Sequence, residues 1–155
     1  MIFSDQDKAN ANVKIEVIDV NTKEILQVIE KHNLVVTLGR SLICDLLAMT
    51  VGVTGLNYFA VGLSTTAVTL ADIKLGTEEF RDSFTKVTVS GNNVKYQYYL
   101  ASSDANGHTL TEAGLFGDNA TGTADTGTLF ARVTHDGISK AINVAINYSW
   151  DITFN

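Results

Sequence analysis

The sequence predicts a mainly-β fold: an antiparallel β-sandwich with one amphipathic helix packed on it. Three observations carry this reading. Apolar residues alternate without a break along Ile142, Val144, Ile146, Tyr148, Trp150, Ile152 and Phe154, and a period of two means a strand with one buried face. Shorter alternating stretches recur upstream, separated by Gly, Asn, Asp and Ser, which are turn formers. Only residues 37–49 hold a convincing helical stripe. At ~3.3 Å per residue the final run would span roughly 40 Å, more than a usual strand. A wide sheet or a neighbouring subunit must then cover it.

The elements follow in order. Residues 1–11 are polar and aperiodic apart from Ile2 and Phe3, and read as a flexible N-terminal arm that docks on a neighbouring subunit or another protein. Residues 12–155 form the single sandwich domain. Val13, Ile15 and Val17 alternate with Lys14 and Glu16 in a first strand. Asp19-Val20-Asn21-Thr22 turns the chain into a second strand over residues 25–32. Ile25, Val28 and Ile29 also fit a helix over residues 24–31; the flanking turn favours the strand. In the helix at 37–49, Leu38, Leu42 and Leu46 lie four apart with Ile43 and Leu47 beside them, giving a broad apolar face. Thr37 is the expected cap, and Gly52 and Gly55 end the segment.

Residues 58–63 read as a short strand and 64–76 as a long connection with a helical turn at 70–74. Residues 80–90 and 94–102 form the next hairpin, joined at Ser90-Gly91-Asn92-Asn93. A turn at 102–107, a strand at 109–116, an exposed Gly-rich loop at 117–127, a strand at 129–133 and a turn at Asp136-Gly137 lead to the final strand. Seven to nine strands at short spacing with one helix argue for a sandwich.

The 155 residues suit one domain, and 45% hydrophobic content suits a globular core. Eleven Lys and Arg against seventeen Asp and Glu leave a formal charge of −6, and no two Lys or Arg residues are adjacent. Nucleic acid and anionic membrane are therefore disfavoured as main partners. No apolar run approaches the ~18 residues of a membrane span, and no secretory signal pattern opens the chain, so synthesis in a cytoplasm is expected. The one cysteine, Cys44, excludes an internal disulfide framework. Its Leu/Ile surroundings predict a buried, inert thiol. Proline is absent, so no sheet edge can be blunted by it.

Candidate chemistry is thin. His32, His108 and His135 lack a second ligand at metal spacing and read as solvent-facing turn or strand-end residues. Ser102-Ser103-Asp104-Ala105-Asn106-Gly107, with Glu112 beyond, faintly resembles a calcium loop. An EF-hand needs an acid at position one and Glu at twelve, whereas Ser102 opens this stretch and Glu112 falls at eleven. An Asn-Gly turn explains it more simply. Residues 117–127 lack the Lys-Ser/Thr of a phosphate loop, and no nucleophile elbow occurs. Glu78, Glu79 and Asp82 pair carboxylates as glycosidases do, but such a cluster ordinarily faces solvent. Tyr96, Tyr98 and Tyr99 are sugar-stacking candidates and also good strand formers. No catalytic, cofactor or metal residue is assigned, and an enzyme is not expected.

One set of segments has a family likeness. Asn33-Leu34-Val35-Val36 runs into Leu38-Gly39-Arg40-Ser41-Leu42-Ile43-Cys44-Asp45-Leu46-Leu47. Phe59-Ala60-Val61-Gly62, Leu75-Gly76-Thr77-Glu78, Thr111-Glu112-Ala113-Gly114-Leu115-Phe116, Leu129-Phe130-Ala131-Arg132 and Trp150-Asp151-Ile152-Thr153-Phe154 follow. This order, covering residues 33–154, resembles small structural proteins encoded among the tail and neck genes of tailed bacteriophages. The resemblance implies a tail-fibre, baseplate or neck/collar component, assembled in the host cytoplasm and carried in the virion. Its partners would be other virion proteins and further copies of itself, as a trimer in a fibre or a larger ring in a neck. It brings no catalytic residues. The alternative is a carbohydrate- or receptor-binding module at a fibre tip, with a host-surface glycan as partner. Within the pattern, Glu112 precedes small residues that allow close backbone approach, and Arg132 is its expected buried partner in a structural role.

Overall fold

Alternation, where it is strict, places strands face to face in a sandwich. The structure is a computed structural model and describes residues 10–154. The first sheet contains β1 (Asn10–Asp19), β2 (Ile25–His32), β6 (Lys86–Ser90), β7 (Asn93–Leu100) and β10 (Val144–Thr153), in the order β2-β1-β10-β7-β6. The second contains β3 (Leu34–Val35), β4 (Leu56–Gly62), β5 (Glu78–Ser83), β8 (Thr109–Gly117) and β9 (Thr128–Ser139), in the order β3-β9-β8-β4-β5. Every pairing is antiparallel. One helix, α1 (Thr37–Leu47), packs against β9. The expected β-sandwich with a single helix is the observed fold.

β10 is the central strand of the first sheet. Val144, Ile146, Tyr148, Trp150 and Ile152 are buried along it. Its register sets Trp150 between Val13 and Tyr96, and Tyr148 between Ile15 and Tyr98. Phe59 reaches across from β4, stacking on Tyr98 at 4.6 Å between centroids and meeting Tyr148 at 4.7 Å and Trp150 at 6.2 Å. β10 is shorter than the alternation suggested. Ile142 lies in the turn before it and is 78% exposed, and Phe154 lies just beyond its end. A five-stranded sheet covers the remaining apolar residues within one chain.

β8 is the central strand of the second sheet and is buried from Leu110 to Gly117. Leu115 and Ala113 face the sandwich core. Phe116 points the other way, into a second cluster with Val36, Ala60, Leu75, Ala120 and Leu129. Leu75 and Ala120 belong to the long connections, so these fold back over the outer face. Gly114 makes this approach feasible: a Cβ there would lie 2.9 Å from Leu75 Cδ2 and 3.2 Å from the Ala131 carbonyl.

Several expectations are corrected. Residues 80–90 are two strands, because the chain leaves the second sheet at Phe84 and joins the first, where Phe84 packs on Tyr96 at 4.8 Å. Asp136-Gly137 does not end a strand: β9 runs through it, with a register shift against β8 between Leu110 and Glu112, and crosses to β10 only after Ser139. Val36, not Thr37, is the N-cap of α1, and no side chain caps it. The helix ends at Leu47 and buries only Gly39 and Leu42, a narrower face than expected. Gly39 rides directly on the Phe130 backbone, with no room for a Cβ. Cys44 is exposed, because it lies off this narrow face. Leu70–Lys74 holds a Thr69–Asp72 turn rather than helix. Asn10 and Ala11, placed in the arm from sequence, belong to β1, while the rest of the arm (residues 1–9) lies outside the described residues.

Trp150 is 1% exposed. Trp150→Ala should therefore destabilise the fold by about 3–5 kcal/mol in urea titrations. Its native fluorescence should be blue-shifted and resistant to iodide; ready quenching would contradict the β10 register.

Candidate functional site

The most organised polar cluster centres on Glu112. Strand parity puts this residue on the outer face of the second sheet, beneath the connection of residues 63–77. The residue is fully buried, and a buried charge persists only where partners replace water. Its Oε1 accepts from the backbone N–H groups of Ser64 (3.1 Å) and Thr77 (2.8 Å). Its Oε2 accepts from the Gly76 N–H (3.0 Å) and from Arg132 Nε (2.9 Å). Arg132, also buried, continues outward: Nη1 donates to Asp72 Oδ2 at 2.9 Å and Nη2 to the Thr66 carbonyl at 3.0 Å. Gly62 sits opposite Glu112 on β4, where a Cβ would collide with the carboxylate and with the Thr77 carbonyl.

Burial pushes the Asp72 carboxyl upward, but the Thr69 N–H and hydroxyl together with Arg132 outweigh it and hold the group below its usual range. Its contribution is present above the unfolded carboxylate value and is lost as pH falls through the folded one. Chemically this cluster is a clamp. Each carboxylate oxygen of Glu112 already accepts two hydrogen bonds, which leaves no geometry for proton transfer to a substrate. The Glu112–Arg132 pairing is the one expected from sequence.

A second clamp uses part of the predicted acidic cluster. Glu78, expected at a solvated face, is buried against Arg81, with Nη2 donating to Oε2 at 2.8 Å. Arg81 lies over the Phe116 ring at 4.3 Å, a cation–π contact. Its Nη1 donates to the carbonyls of Thr121 (3.2 Å) and Thr126 (2.9 Å), which fixes the Gly-rich loop of residues 118–127. Glu79 instead pairs with His108 at 3.0 Å, and Asp82 stays exposed and binds Ser83. The three carboxylates thus have three different partners.

The calcium-like stretch is a turn closed by a lysine. Lys140 is 2% exposed. Its Nζ donates to Asn106 Oδ1 (2.9 Å), the Ser102 carbonyl (3.2 Å) and the Ala141 carbonyl (3.3 Å). The ammonium occupies the position a bound cation would need. Glu112 is committed elsewhere, and Asp104 accepts from the Ala101 N–H and the Ser103 hydroxyl. Burial pushes the Lys140 amine down from its ordinary value. Among the described residues no three His, Cys, Asp or Glu side chains group as metal ligands.

The histidines divide. His32 is exposed on β2 and His108 half-buried beside Glu79. His135, expected to face solvent, is buried in the β9 irregularity. Its Nδ1 lies 2.8 Å from the Asp136 carbonyl, which assigns the ring proton to Nδ1. Its Nε2 has no hydrogen-bond partner among the described residues, nor do the Tyr148 hydroxyl, Trp150 Nε1 and the Asn33 amide. Burial pushes the His135 imidazole below its usual value, partly opposed by the Asp136 carbonyl and carboxylate.

Of the tyrosines, Tyr98 is core and Tyr96 half-buried, while Tyr99 is 45% exposed. It borders a shallow cleft of about 150 Å³ with Gln97, Lys86, Asn147 and Ser149. An open depression of about 550 Å³ lies over Asn12, Lys14, Glu30, His32 and Asp151, with both charge signs present. A smaller apolar cleft of about 120 Å³ runs between α1 and the first sheet, lined by Leu42, Leu46, Val94, Tyr96, Phe130 and Phe154. No helix among the described residues is long and apolar enough to cross a membrane. Compared with protein-family models, curated proteins and solved structures, the chain matches none.

Sequence reasoning missed Asp72 and the three backbone donors of the Glu112 clamp, the Arg81–Glu78 pair and the Lys140 staple. None of these had a usable signal: Arg81 lies among Glu78, Glu79 and Asp82 in a mostly charged strand, and backbone donors have no side-chain signature.

Two outcomes are expected. Arg132→Met should cost about 3–5 kcal/mol in urea unfolding, since it leaves Glu112 buried and unpaired. Combining it with Glu112→Gln should cost clearly less than the sum of the two single changes. Separately, the unfolded chain protonates His135 more readily than the folded one. Stability should therefore fall as pH drops through about 6.5, by at most about 1.4 kcal/mol per pH unit. His135→Gln should flatten that slope in thermal melts between pH 7 and 5; an unchanged slope would assign it to another group.

Proposed function

We propose that this chain is a non-catalytic structural subunit of a tailed-bacteriophage virion, an oligomeric adaptor or fibre subunit of the tail fibre, baseplate or neck/collar. The observation that carries the reading is the division of labour between interior and surface. The buried charges Glu112, Arg132, Glu78 and Arg81 are spent on fixing loops. The surface meanwhile presents apolar residues suited to protein contacts: Ile25, Leu26 and Val28 on the β2 edge, Val87 and Val89 on the β6 edge, and Leu47, Met49 and Val51 at and just beyond the end of α1. Scattered exposed apolar residues are ordinary, whereas groups on sheet edges invite partners.

The resemblance adds support from an independent direction. In this chain the segments that carry it, Gly62, Gly76-Thr77, Glu112 and Arg132, meet in one clamp, which fits a structural role for them. The receptor-binding alternative has less to draw on, because Tyr98 lies in the core and Tyr99 alone of the run is well exposed.

The test is the composition of particles. Virions purified by density gradient from the phage that encodes the chain should contain it at a fixed copy number by quantitative mass spectrometry. An antibody to the chain should label tails or necks in electron micrographs. Abundant chain in lysates with none in purified particles would overturn the reading.

A further inference from the structure

The turn between β7 and β8 holds the chain's one Asn-Gly pair, Asn106-Gly107. Asparagine is a thermolabile residue, and a following glycine makes it more so. The backbone nitrogen of the next residue attacks the asparagine Cγ, and glycine puts no side chain in the way. An N–Cγ bond forms and the Cγ–Nδ2 bond breaks. The nitrogen's proton passes to water, and the side-chain amide departs as ammonia, leaving a cyclic imide. Water then opens the ring at either carbonyl to give aspartate or isoaspartate.

The turn itself requires this pair. Gly107 has φ +85°, a conformation that other residues rarely adopt. Asn106 supplies one donor and one acceptor to the turn. Its side chain is exposed, so exclusion of water does not protect it.

The reacting atoms are instead held one by one. Asn106 Nδ2, the leaving nitrogen, donates to the Ser102 carbonyl at 2.7 Å. Asn106 Oδ1 accepts from Lys140 Nζ at 2.9 Å, and Nζ also donates to that same Ser102 carbonyl at 3.2 Å. The attacking nitrogen, Gly107 N, donates its hydrogen to the Lys140 carbonyl at 2.9 Å. The Lys140 N–H in turn donates to the His108 carbonyl at 2.9 Å. Lys140 is 2% exposed, and turning Asn106 away would take an acceptor from a buried ammonium.

We infer that Asn106 is a deamidation site kept closed by Lys140. The Lys140 ammonium fixes the carbon to be attacked, and the Lys140 carbonyl fixes the nitrogen that attacks. The reaction then proceeds only from a locally opened turn. The inference is independent of the virion reading, since it needs neither a partner nor an assembly.

The experiment follows Asn106 in the full chain by peptide mapping with mass spectrometry, which separates amide from acid. The chain is incubated in mildly alkaline buffer, folded and in urea. Folding should slow the conversion about tenfold or more. Lys140→Met removes the ammonium and keeps the backbone carbonyl, and it should speed the folded chain's conversion several-fold. Where Lys140→Met does not fold, Lys140→Gln takes its place. Leu42→Ala is the control. It lowers the melting temperature from α1, beside Val94 at the far end of β7 from the turn, and should leave Asn106 as slow as in the parent chain.

Equal rates in the folded and unfolded chain overturn the inference. So does a folded Lys140 variant that converts no faster than the parent. A slower variant would show that the ammonium polarises the Asn106 carbonyl toward attack, the opposite of a guard. Acceleration by Leu42→Ala equal to that by the Lys140 variant would assign the rate to global unfolding and overturn it as well.

Discussion

A single buried carboxylate holds much of this molecule in place. Glu112 collects the N–H groups of Ser64, Gly76 and Thr77 and the Arg132 guanidinium. These donors come from both ends of one long connection and from the neighbouring strand. Without the carboxylate, three part-buried backbone donors would lose their partner, each costing up to about 1–3 kcal/mol where water does not replace it. The clamp therefore sets where the connection lies, and with it Leu75, whose side chain seals the outer face of the second sheet. It also explains two glycines. Gly62 and Gly114 flank the clamp, and a methyl at either would strike the carboxylate or Leu75.

The clamp and the core are coupled through β4. Along Phe59-Ala60-Val61-Gly62, side chains alternate inward and outward. Phe59 enters the aromatic cluster of Tyr98, Tyr148 and Trp150, and Val61 joins the same core. Ala60 and Gly62 face the clamped connection. A one-residue slip of β4 would exchange these sets, pushing Phe59 against the connection and removing the gap Glu112 needs. Register is thus fixed from both faces of the second sheet. An ordinary sandwich sheet, wet on its outer face, would be constrained from one face only.

What could be read in the sequence depended on whether a local rule decided the outcome. The β1–β2 hairpin and the central part of β10 follow from alternation and turn residues, and both came out as expected. The Glu112–Arg132 pair followed from a charge set among small, tightly packed residues. The break between β5 and β6 left one unread signal: Asp82 interrupts the apolar positions between Phe80 and Phe84, and the parity changes at Val87 and Val89 where the chain enters the other sheet. Passage of β9 through Asp136-Gly137 was hidden by a turn-like dipeptide absorbed into a register shift. The Thr37 cap failed because the helix already begins at Thr37, one residue earlier than expected, and Cys44 failed for a different reason. Helical periodicity suggested a wide buried face, but Gly39 brings α1 so close to Phe130 that a narrow contact suffices. The remaining members of the clamp, backbone N–H groups and Asp72, carry no sequence signature at all.

The same economy shapes the surface. Charges that might have protected edges are largely used elsewhere: Glu78 and Arg81 bind the 118–127 loop, and Lys140 closes the turn at 102–107. With proline absent, the β2 edge keeps only Glu30, Lys31 and His32 for protection, and all three lie toward one end of the strand. Its other half, Ile25 to Val28, is left uncharged, with Gln27 its one polar side chain. Charges evenly spread along an edge would repel every approaching strand alike. Lys23 and Glu24 before the strand and Glu30, Lys31 and His32 at its end leave the stretch from Ile25 to Val28 without a charge, and an uncharged edge with unpaired backbone groups stays open to another strand.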